Sequence, residues 1–540
     1  MQDQAEAIPP PGQQDDSQKT SHWYECCLRR SRALPPDATR WDRLRHNLLC
    51  PPGVNLGRAC IFLMAIPVIW LAGYCLTGQE MLPGGNLFKM YILFIACLLG
   101  GWLMEMISFP GLLGMLFVGM IVGNLERQMG WMTQPIRQDW SGETRGLALI
   151  VIFICAGLEL NPEQLRRLSL TVIRLAFVPC AVEAVTIACI SYFALGFPWT
   201  WGFMLGFALA TSSTAVVVPC MLSIQRKGYG VAKGIPTLLI AASSIDDILA
   251  ISIFAIFLGM TFSEGSIMNK MFMPFVEVIV GLLYGTIFGI ILWFVPNRKD
   301  KFAIVEIRSM MLLFGGIAAY FGSIIIEMHS GGALGVLTMA FVASLGWRRQ
   351  GYEDDNPVSQ NFNYLWLILQ PLLFGLIGTE MDFAQIKPTT IGYGLIVICG
   401  GLFIRCCASY VSLFGGDFNA KEKLFSAVAW MPKATVQAAI GPYALDAAKA
   451  MPDPNPQFIE WGRDIVTIVV MAILISASIG TIFIGCCSSK LLEKSTDVER
   501  KDSRKTPSER MDDNGVLDRS PSTAASHAPS SFIVIDHQTK

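Results

Sequence analysis

The stretch Ala241-Ala242-Ser243-Ser244-Ile245-Asp246-Asp247-Ile248-Leu249-Ala250 lies inside an apolar run that extends from Ile235 to Met260. A run of this length and composition predicts a helix that spans a membrane. Two adjacent carboxylates near its middle are costly, because an ionised aspartate at a helix centre costs roughly 2.5 to 3.5 kcal/mol on insertion scales. Asp246 and Asp247 therefore predict a cation or proton site in mid-membrane. A pair satisfied only by hydroxyls and backbone is the less favoured alternative.

The composition extends the membrane interpretation to most of the chain. Of its 540 residues, 53% are hydrophobic and 15% are charged, whereas soluble domains are about 25% charged. This indicates a multi-pass membrane protein. The formal net charge of −1 argues against a protein that binds nucleic acid. The fifteen cysteines lie mostly in apolar runs without zinc-type spacing, which favours small core residues over a disulfide framework.

Three regions follow from the apolar pattern. Residues 1–58 are predicted to be a disordered cytosolic tail without the apolar core of a signal peptide, 59–487 a transmembrane domain, and 488–540 a second disordered cytosolic tail. Within the domain we count fourteen apolar spans. They lie near 59–78, 90–107, 109–123, 145–159, 170–195, 199–220, 235–261, 273–296, 309–326, 330–346, 361–380, 390–414, 422–446 and 464–487.

The distribution of basic residues supports an orientation with both termini in the cytosol. Cytosolic loops carry an excess of lysine and arginine. With fourteen alternating spans, the loops on the cytosolic side contain Arg166, Arg167, Arg226, Lys227, Lys233, Arg298, Lys299, Lys301, Arg348, Arg349, Lys421 and Lys423. The opposite connections are poorer in basic residues, so the count and the orientation agree.

An internal repeat relates the two halves of the domain. The segment from Ala156 to Arg166 matches the segment from Ile377 to Lys387 at an offset of 221 residues, with shared Gly, Glu and Gln. The same offset aligns Ser213-Thr214-Ala215 with Ala434-Thr435-Val436. Seven spans separate the copies, and seven is odd, so the copies have opposite orientations. Inverted repeats are typical of secondary transporters.

Such transporters place their site at the midplane, between helices that are broken at matching positions. The matching candidates are Thr211-Ser212-Ser213-Thr214 in the sixth span and Pro432-Lys433-Ala434-Thr435 in the thirteenth. Hydroxyl side chains and a proline suit a broken helix, because the freed backbone groups need new partners. Two unbroken helices with a polar stripe are the alternative.

Four further charged residues inside the spans matter, and one of them, Glu105, lies towards the end of the second span. Glu183 and Arg405 lie in spans that are repeat counterparts, so we predict an ion pair between them near the pseudo-twofold axis. Separate snorkelling of each side chain is the alternative. Lys433 lies in the proposed second break and needs a carboxylate or a cavity. We expect Asp246 or Asp247 as its partner, because adjacent helical residues point about 100° apart and can face different partners.

These residues together resemble the cation/proton antiporter superfamily, in particular the NHA branch of animal sodium/hydrogen exchangers (solute carrier family 9, subgroup B). The resemblance covers most of residues 82–487. Its most specific parts are Leu82–Phe88, Gly228–Leu239, Ala241–Ile251, Gln370–Leu376 and Ala429–Ala438.

The resemblance implies an all-α fold of about fourteen transmembrane helices with inverted repeats and two crossing discontinuous helices. A core ion-binding bundle and a dimerisation bundle would form a homodimer in the lipid bilayer. By the same resemblance, Asp247 is the principal cation and proton carrier, Asp246 pairs with Lys433, and Glu183 pairs with Arg405. Thr214, Pro432 and Thr435 belong to the crossing helices.

The expected function is antiport of sodium or lithium for protons by alternating access, with Asp246 and Asp247 as the shared metal and proton site. Thr211, Ser212 and Ser213 would supply further oxygens, which suit a hard cation. We expect no cofactor and no enzymatic activity, and a role in pH homeostasis at the plasma membrane, with endosomal or mitochondrial membranes as alternatives.

Two rival functions remain open. A monovalent cation channel or potassium-efflux-type transporter of the same superfamily is the first, although the tail lacks a Gly-rich dinucleotide fingerprint. An intramembrane aspartyl protease is the second, but its aspartates come from different helices, whereas Asp246 and Asp247 are adjacent.

Overall fold

The computed structural model describes only part of the chain. The described ranges are 54–107, 109–129, 136–159, 170–262, 267–296, 303–326, 328, 331–351, 356–451, 453 and 455–494. The two tails predicted to be disordered lie outside these ranges, except for residues 54–58 and 488–494. The basic loop residues Arg166, Arg167, Arg298, Lys299 and Lys301 also lie outside them.

The described residues form a succession of helices, numbered here in chain order. They are α1 Val54–Thr77, α2 Asn86–Met106, α3 Gly111–Met129, α4 Gln138–Glu159, α5 Leu170–Ile190, α6 Trp199–Leu209, α7 Thr214–Arg226, α8 Ile235–Phe262, α9 Ile267–Phe294, α10 Ile304–Ile325, α11 Gly331–Arg348, α12 Pro357–Glu380, α13 Pro388–Ser412, α14 Ala420–Ala429, α15 Thr435–Ile440, α16 Tyr443–Ala450 and α17 Pro456–Leu491.

This architecture confirms the predicted all-α membrane fold. Each predicted span lies on one of these helices or, for the sixth and thirteenth spans, on helices separated by a break. Ten candidate spans in the described residues are long and apolar enough to cross a membrane. The count of fourteen membrane spans stays a prediction.

Local sequence signals explain where several helices begin. α12 and α17 each follow an Asn-Pro pair. The Asn356 and Asn455 side chains accept hydrogen bonds from the amides of Val358 and Gln457, at 3.1 and 3.0 Å. An asparagine N-cap satisfies an unpaired amide, and proline at the first helical position loses no hydrogen bond. The long apolar sequences that follow extend these helices.

The chain divides into two compact units. Of the described residues, the first unit comprises 54–95, 125–129 and 136–141. Within it, the Trp70 indole donates to the Met81 carbonyl at 3.0 Å and closes the turn after α1. The second unit comprises the described residues of 96–124 and 142–494, and it contains all the predicted site residues.

The repeat continues over six pairs of helices. The 221-residue offset aligns Thr214 at the start of α7 with Thr435 at the start of α15, and Ile235 of α8 with Pro456 of α17. The paired helices are α3 with α11, α4 with α12, α5 with α13, α6 with α14, α7 with α15 and α8 with α17. A match seen in two short motifs therefore extends over these six pairs of helices.

Close packing of α5 against α6 positions Glu183 beside the first break. A Cβ atom added at Gly206 would lie 2.5 Å from the Ala184 carbonyl oxygen, and one at Gly202 would lie 3.1 Å from the Ala188 carbonyl. Small residues allow this approach, as in other membrane helix pairs. Glu183, adjacent to Ala184, is completely buried as a result.

We predict that Gly206→Leu separates α5 from α6 and destabilises the protein by about 1 to 3 kcal/mol, since overpacking forces the backbone apart. Thermal unfolding in detergent measures the effect. Gly392→Leu in α13 is the matched control, because a Cβ there meets no atom within 4 Å. Equal melting temperatures for the two variants would show that the α5–α6 approach is not tight.

Candidate functional site at the crossing of two broken helices

Two interrupted helices meet at the centre of the second unit. α6 ends at Leu209 and α7 begins at Thr214, whereas α14 ends at Ala429 and α15 begins at Thr435. The Ser213 amide donates to the Pro432 carbonyl at 2.7 Å, so a backbone group freed by one break is satisfied by the other. The predicted discontinuous helices are confirmed at both positions.

Asp246 and Asp247 of α8 lie beside the first break. Their side chains are buried, with exposures of 0% and 4%. Asp246 Oδ2 accepts hydrogen bonds from the Ser212 amide at 3.0 Å and the Ser212 hydroxyl at 3.2 Å. Arg405 Nη2 lies 2.6 Å from the same oxygen. Asp246 is therefore held as a paired carboxylate.

Arg405 connects the two halves of the repeat. Its Nη1 lies 2.8 Å from Glu183 Oε2, which is the ion pair predicted from the sequence. Its Nε donates to the Trp430 carbonyl at 2.8 Å, and Nη1 also donates to the Ala210 carbonyl. One planar guanidinium thus binds two carboxylates and one carbonyl from each break, a geometry that a lysine ammonium cannot reproduce.

The predicted partner of Lys433 is wrong. Lys433 Nζ lies 2.8 Å from Glu183 Oε1 and also donates to the Leu209 carbonyl. Asp246 is paired with Arg405 instead. The physical reason is that Asp246 Oδ2 already accepts from Ser212 and Arg405, while Glu183 presents its second oxygen towards Lys433. The sequence alone does not show which of the two cations, Arg405 or Lys433, pairs with Asp246.

Asp247 has a different environment from Asp246. The hydroxyls of Thr211 and Thr214 lie close to its carboxylate. Its Oδ1 atom, like Oδ1 of Asp246, is buried and accepts no hydrogen bond from the described residues. A buried carboxylate oxygen without a donor needs an explanation, and a proton or a cation would supply the missing partner.

The other predicted hydroxyls are divided between roles. Ser212 binds Asp246, whereas Ser213 Oγ lies 3.5 Å from Thr435 Oγ1 and joins the two breaks. Among the described residues, no group of three or more His, Cys, Asp and Glu side chains is arranged to hold a metal ion. A cation beside Asp247 would therefore need hydroxyl and carbonyl oxygens as well.

Two further residues at the breaks were missed by the sequence argument. Gln437 is fully buried, and its Nε2 donates to the Thr211 carbonyl at 2.7 Å. Ser476 Oγ accepts from the Lys433 amide at 3.1 Å. Gln437 had a detectable signal, since it is an amide in an apolar stretch three residues after the second break. A lone serine such as Ser476 gives none.

Ion pairs also fix the segments that flank the second break. Beyond α15, Arg145 lies 2.7 Å from Asp446 and 3.2 Å from Glu380, which lies 3.4 Å from Lys449. These pairs tie α16 to α4 and α12.

At the start of α14, Lys233 Nζ lies 2.9 Å from Glu422. Lys233 lies in the connection between α7 and α8. Its hydrogen bond to Glu422 raises the pKa of Lys233 above its ordinary value. The pair ties this connection to the first turn of α14, so the flanks of the second break are fixed on both sides.

The family model described as "Sodium/hydrogen exchanger, transmembrane" matches residues 59–169 and 92–487. The chain belongs to the sodium/hydrogen exchanger family. It is similar to sodium/hydrogen exchanger 9B2 of Xenopus tropicalis, with 43% identity over 452 residues, 83% of this chain and 82% of that protein. The 9B2 protein of Homo sapiens is 40% identical over 85% of both chains. The predicted resemblance to subgroup 9B is thereby confirmed.

Two other comparisons place this exchanger among its relatives. Sodium/hydrogen exchanger 9B1 of Homo sapiens is 38% identical over 436 residues, 80% of this chain and 83% of that protein. The fold is similar to that of the sodium proton antiporter MjNhaP1 from Methanocaldococcus jannaschii, with a TM-score of 0.59. That likeness covers 75% of this chain and 98% of MjNhaP1 at 21% identity, so it supports the fold alone.

We predict that Arg405→Ala destabilises this exchanger by about 3 to 5 kcal/mol, because it leaves Glu183 and Asp246 buried without their shared cation. Thermal unfolding in detergent measures the change. Arg137→Ala is the control, since Arg137 is 61% exposed in its pair with Asp139 and such pairs contribute about 0 to 1 kcal/mol. A melting temperature for Arg405→Ala as high as that of the control would contradict the assigned role.

Proposed function

We propose that this exchanger carries sodium or lithium in one direction and protons in the other by alternating access, and that Asp247 is the group for which the two ions compete. The observation that supports this most strongly is the contrast between two adjacent buried carboxylates. Asp246 is paired with the Arg405 cation and with Ser212, whereas Asp247 has hydroxyl neighbours and, among the described residues, no cation within ion-pair distance.

The charge balance of the crossing supports exchange of one cation for one proton. Among the described residues that meet there, Glu183, Asp246 and Asp247 are acidic and Arg405 and Lys433 are basic. With every group ionised the cluster carries a net charge of −1. One proton or one monovalent cation at Asp247 makes it neutral.

Neutrality explains why the exchange is coupled. Moving an uncompensated charge through hydrocarbon costs at least about 2.5 to 3.5 kcal/mol. The empty, charged site therefore stays accessible to the side on which it lost its ion. A site loaded with either ion changes sides at lower cost, which yields exchange and prevents leak.

Oxygen ligands near Asp247 favour a small, hard cation. The Thr211 hydroxyl and carbonyl and the Thr214 hydroxyl lie at or beside the first break, and Ser212 and Ser213 follow Thr211 directly. Sodium and lithium accept such ligands, as other hard cations do. The relatives are named as sodium/hydrogen exchangers, which supports sodium as one substrate; lithium rests on the ligand chemistry.

A monovalent cation channel or a potassium-efflux-type transporter remains the second candidate. Buried carboxylates would line a conduction path as readily as an exchange site. The homodimer and the plasma membrane as compartment are further proposals, and so is the cytosolic position of both termini, which rests on the distribution of basic residues.

The test is ion-driven proton flux in vesicles reconstituted with the full chain. Under a fixed pH gradient, added Na+ or Li+ is expected to move protons in the opposite direction. Asp247→Asn is expected to reduce this flux to the level of protein-free vesicles, since asparagine keeps the shape of the side chain but cannot carry a proton. Asp139→Asn, at an exposed aspartate, is the control.

Two results would oppose the proposal. Flux in Asp247→Asn at the wild-type rate would remove Asp247 from the site. Cation movement that dissipates its gradient without moving protons would favour the channel.

A further inference from the structure

The two breaks are related by the repeat, but their hydrogen bonds are not equivalent. The 221-residue offset makes the Ser213 amide the counterpart of the Ala434 amide, and the Pro432 carbonyl the counterpart of the Thr211 carbonyl. On one side of the axis the bond is direct, since Ser213 N donates to Pro432 O at 2.7 Å. Symmetry would place a direct bond from Ala434 N to Thr211 O on the other side.

The Gln437 side chain is inserted into that second position. Its Oε1 accepts from the Ala434 amide at 2.7 Å, and its Nε2 donates to the Thr211 carbonyl at 2.7 Å. The repeat counterpart of Gln437 is Val216, which has no polar group to insert. The hydrogen bonds at the two breaks therefore differ because of one residue, Gln437.

Gln437 also contacts the Thr211 hydroxyl, which lies beside Asp247. Gln437 Nε2 lies 3.2 Å from Thr211 Oγ1. An amide N–H can only donate, so the Thr211 oxygen accepts there and its own proton must point elsewhere. Among the described residues, the nearby acceptors are the Asp247 carboxylate and the Ser212 carbonyl at 3.4 Å, a distance longer than an ordinary O–H···O bond.

We propose that Gln437 is a positioning residue, which turns the Thr211 hydroxyl into a hydrogen-bond donor towards ionised Asp247. This inference rests on the proposed exchange function. The alternative role for Gln437 is a helix cap for α15, because a glutamine at the third helical position accepts the amide of the N-cap residue. A cap would affect folding, whereas a positioning residue would affect ion binding through Thr211.

The pH dependence follows from the groups around Asp247. It is faced by Asp246 from its own helix, by Arg405 from α13, and by Thr211 and Thr214 from the first break. Glu183 and Lys433 form an ion pair with each other. Loss of the Thr211 donor makes the ionised form of Asp247 less favourable, so sodium has to compete with a more tightly held proton.

The experiment is a double-mutant cycle on proton flux in reconstituted vesicles, with Na+ as the probe. Gln437→Met removes the amide at similar size, and Thr211→Val removes the hydroxyl and keeps the carbonyl. Each is expected to raise the Na+ concentration at half-maximal flux about threefold to tenfold, the effect of one hydrogen bond, and to shift the pH profile to higher pH. Thr211→Ser, which keeps the hydroxyl, is expected to restore the wild-type values.

The double variant discriminates between the two roles. If Gln437 acts through the Thr211 hydroxyl, the double variant behaves like Thr211→Val alone. If Gln437 only caps α15, the two shifts multiply, as independent effects do, and the proposal is overturned. Unchanged Na+ dependence and pH profile in Gln437→Met also overturn it.

Two further variants keep the test decisive. Gln437→Leu, which also lacks the amide and adds no charge, carries the test if Gln437→Met does not fold. Gln457→Met, at an exposed glutamine of α17, is the matched control and is expected to match the wild type.

Asp247→Asn, measured in the same vesicles, separates the two proposals. Flux that persists in Asp247→Asn contradicts the exchange site, whereas its loss together with unchanged Gln437 variants contradicts only the role of Gln437.

Discussion

The Arg405 guanidinium is the interaction on which the rest of the crossing depends. It binds Glu183 from α5 and Asp246 from α8, and it donates hydrogen bonds to one carbonyl at each break, those of Ala210 and Trp430. A buried charge is tolerated only when it is paired and its donors are satisfied. Arg405 meets this condition for Glu183 and Asp246 at once. It thereby holds α8 in the position in which Asp247 lies beside the first break.

This arrangement separates two chemically identical neighbours. Asp246 is compensated by Arg405, so its charge is part of the structure. Asp247 faces hydroxyls and has no cation within ion-pair distance among the described residues, so the proposed exchange assigns the transported ion to Asp247. Lys433 and Glu183 complete the balance as a second pair. The packing around α8, and not the residue type, thus gives the two aspartates different partners.

The sequence predicted much of this, because membrane burial makes polar residues informative. The apolar spans, the two breaks, the 221-residue repeat and the Glu183–Arg405 pair follow from periodicity and from the cost of charge in hydrocarbon. The partner of Lys433 did not follow, since Glu183 and Asp246 lie on different helices and only their three-dimensional arrangement decides which cation each one meets. Gln437 was missed for a related reason: its role depends on a departure from the repeat symmetry, which appears only when the two breaks are compared in space.

The most direct test of competition at Asp247 is the number of protons released when Na+ binds to the purified exchanger, measured by calorimetry in buffers of different ionisation enthalpy across a range of pH. Competition for one carboxylate predicts that release rises towards one proton per Na+ as pH falls, and declines towards zero at high pH, where Asp247 is already ionised. Two protons per Na+ would mean that Asp246 also titrates despite Arg405. Binding without proton release at every pH would show that the two ions do not compete for one carboxylate, and would contradict the proposed exchange site.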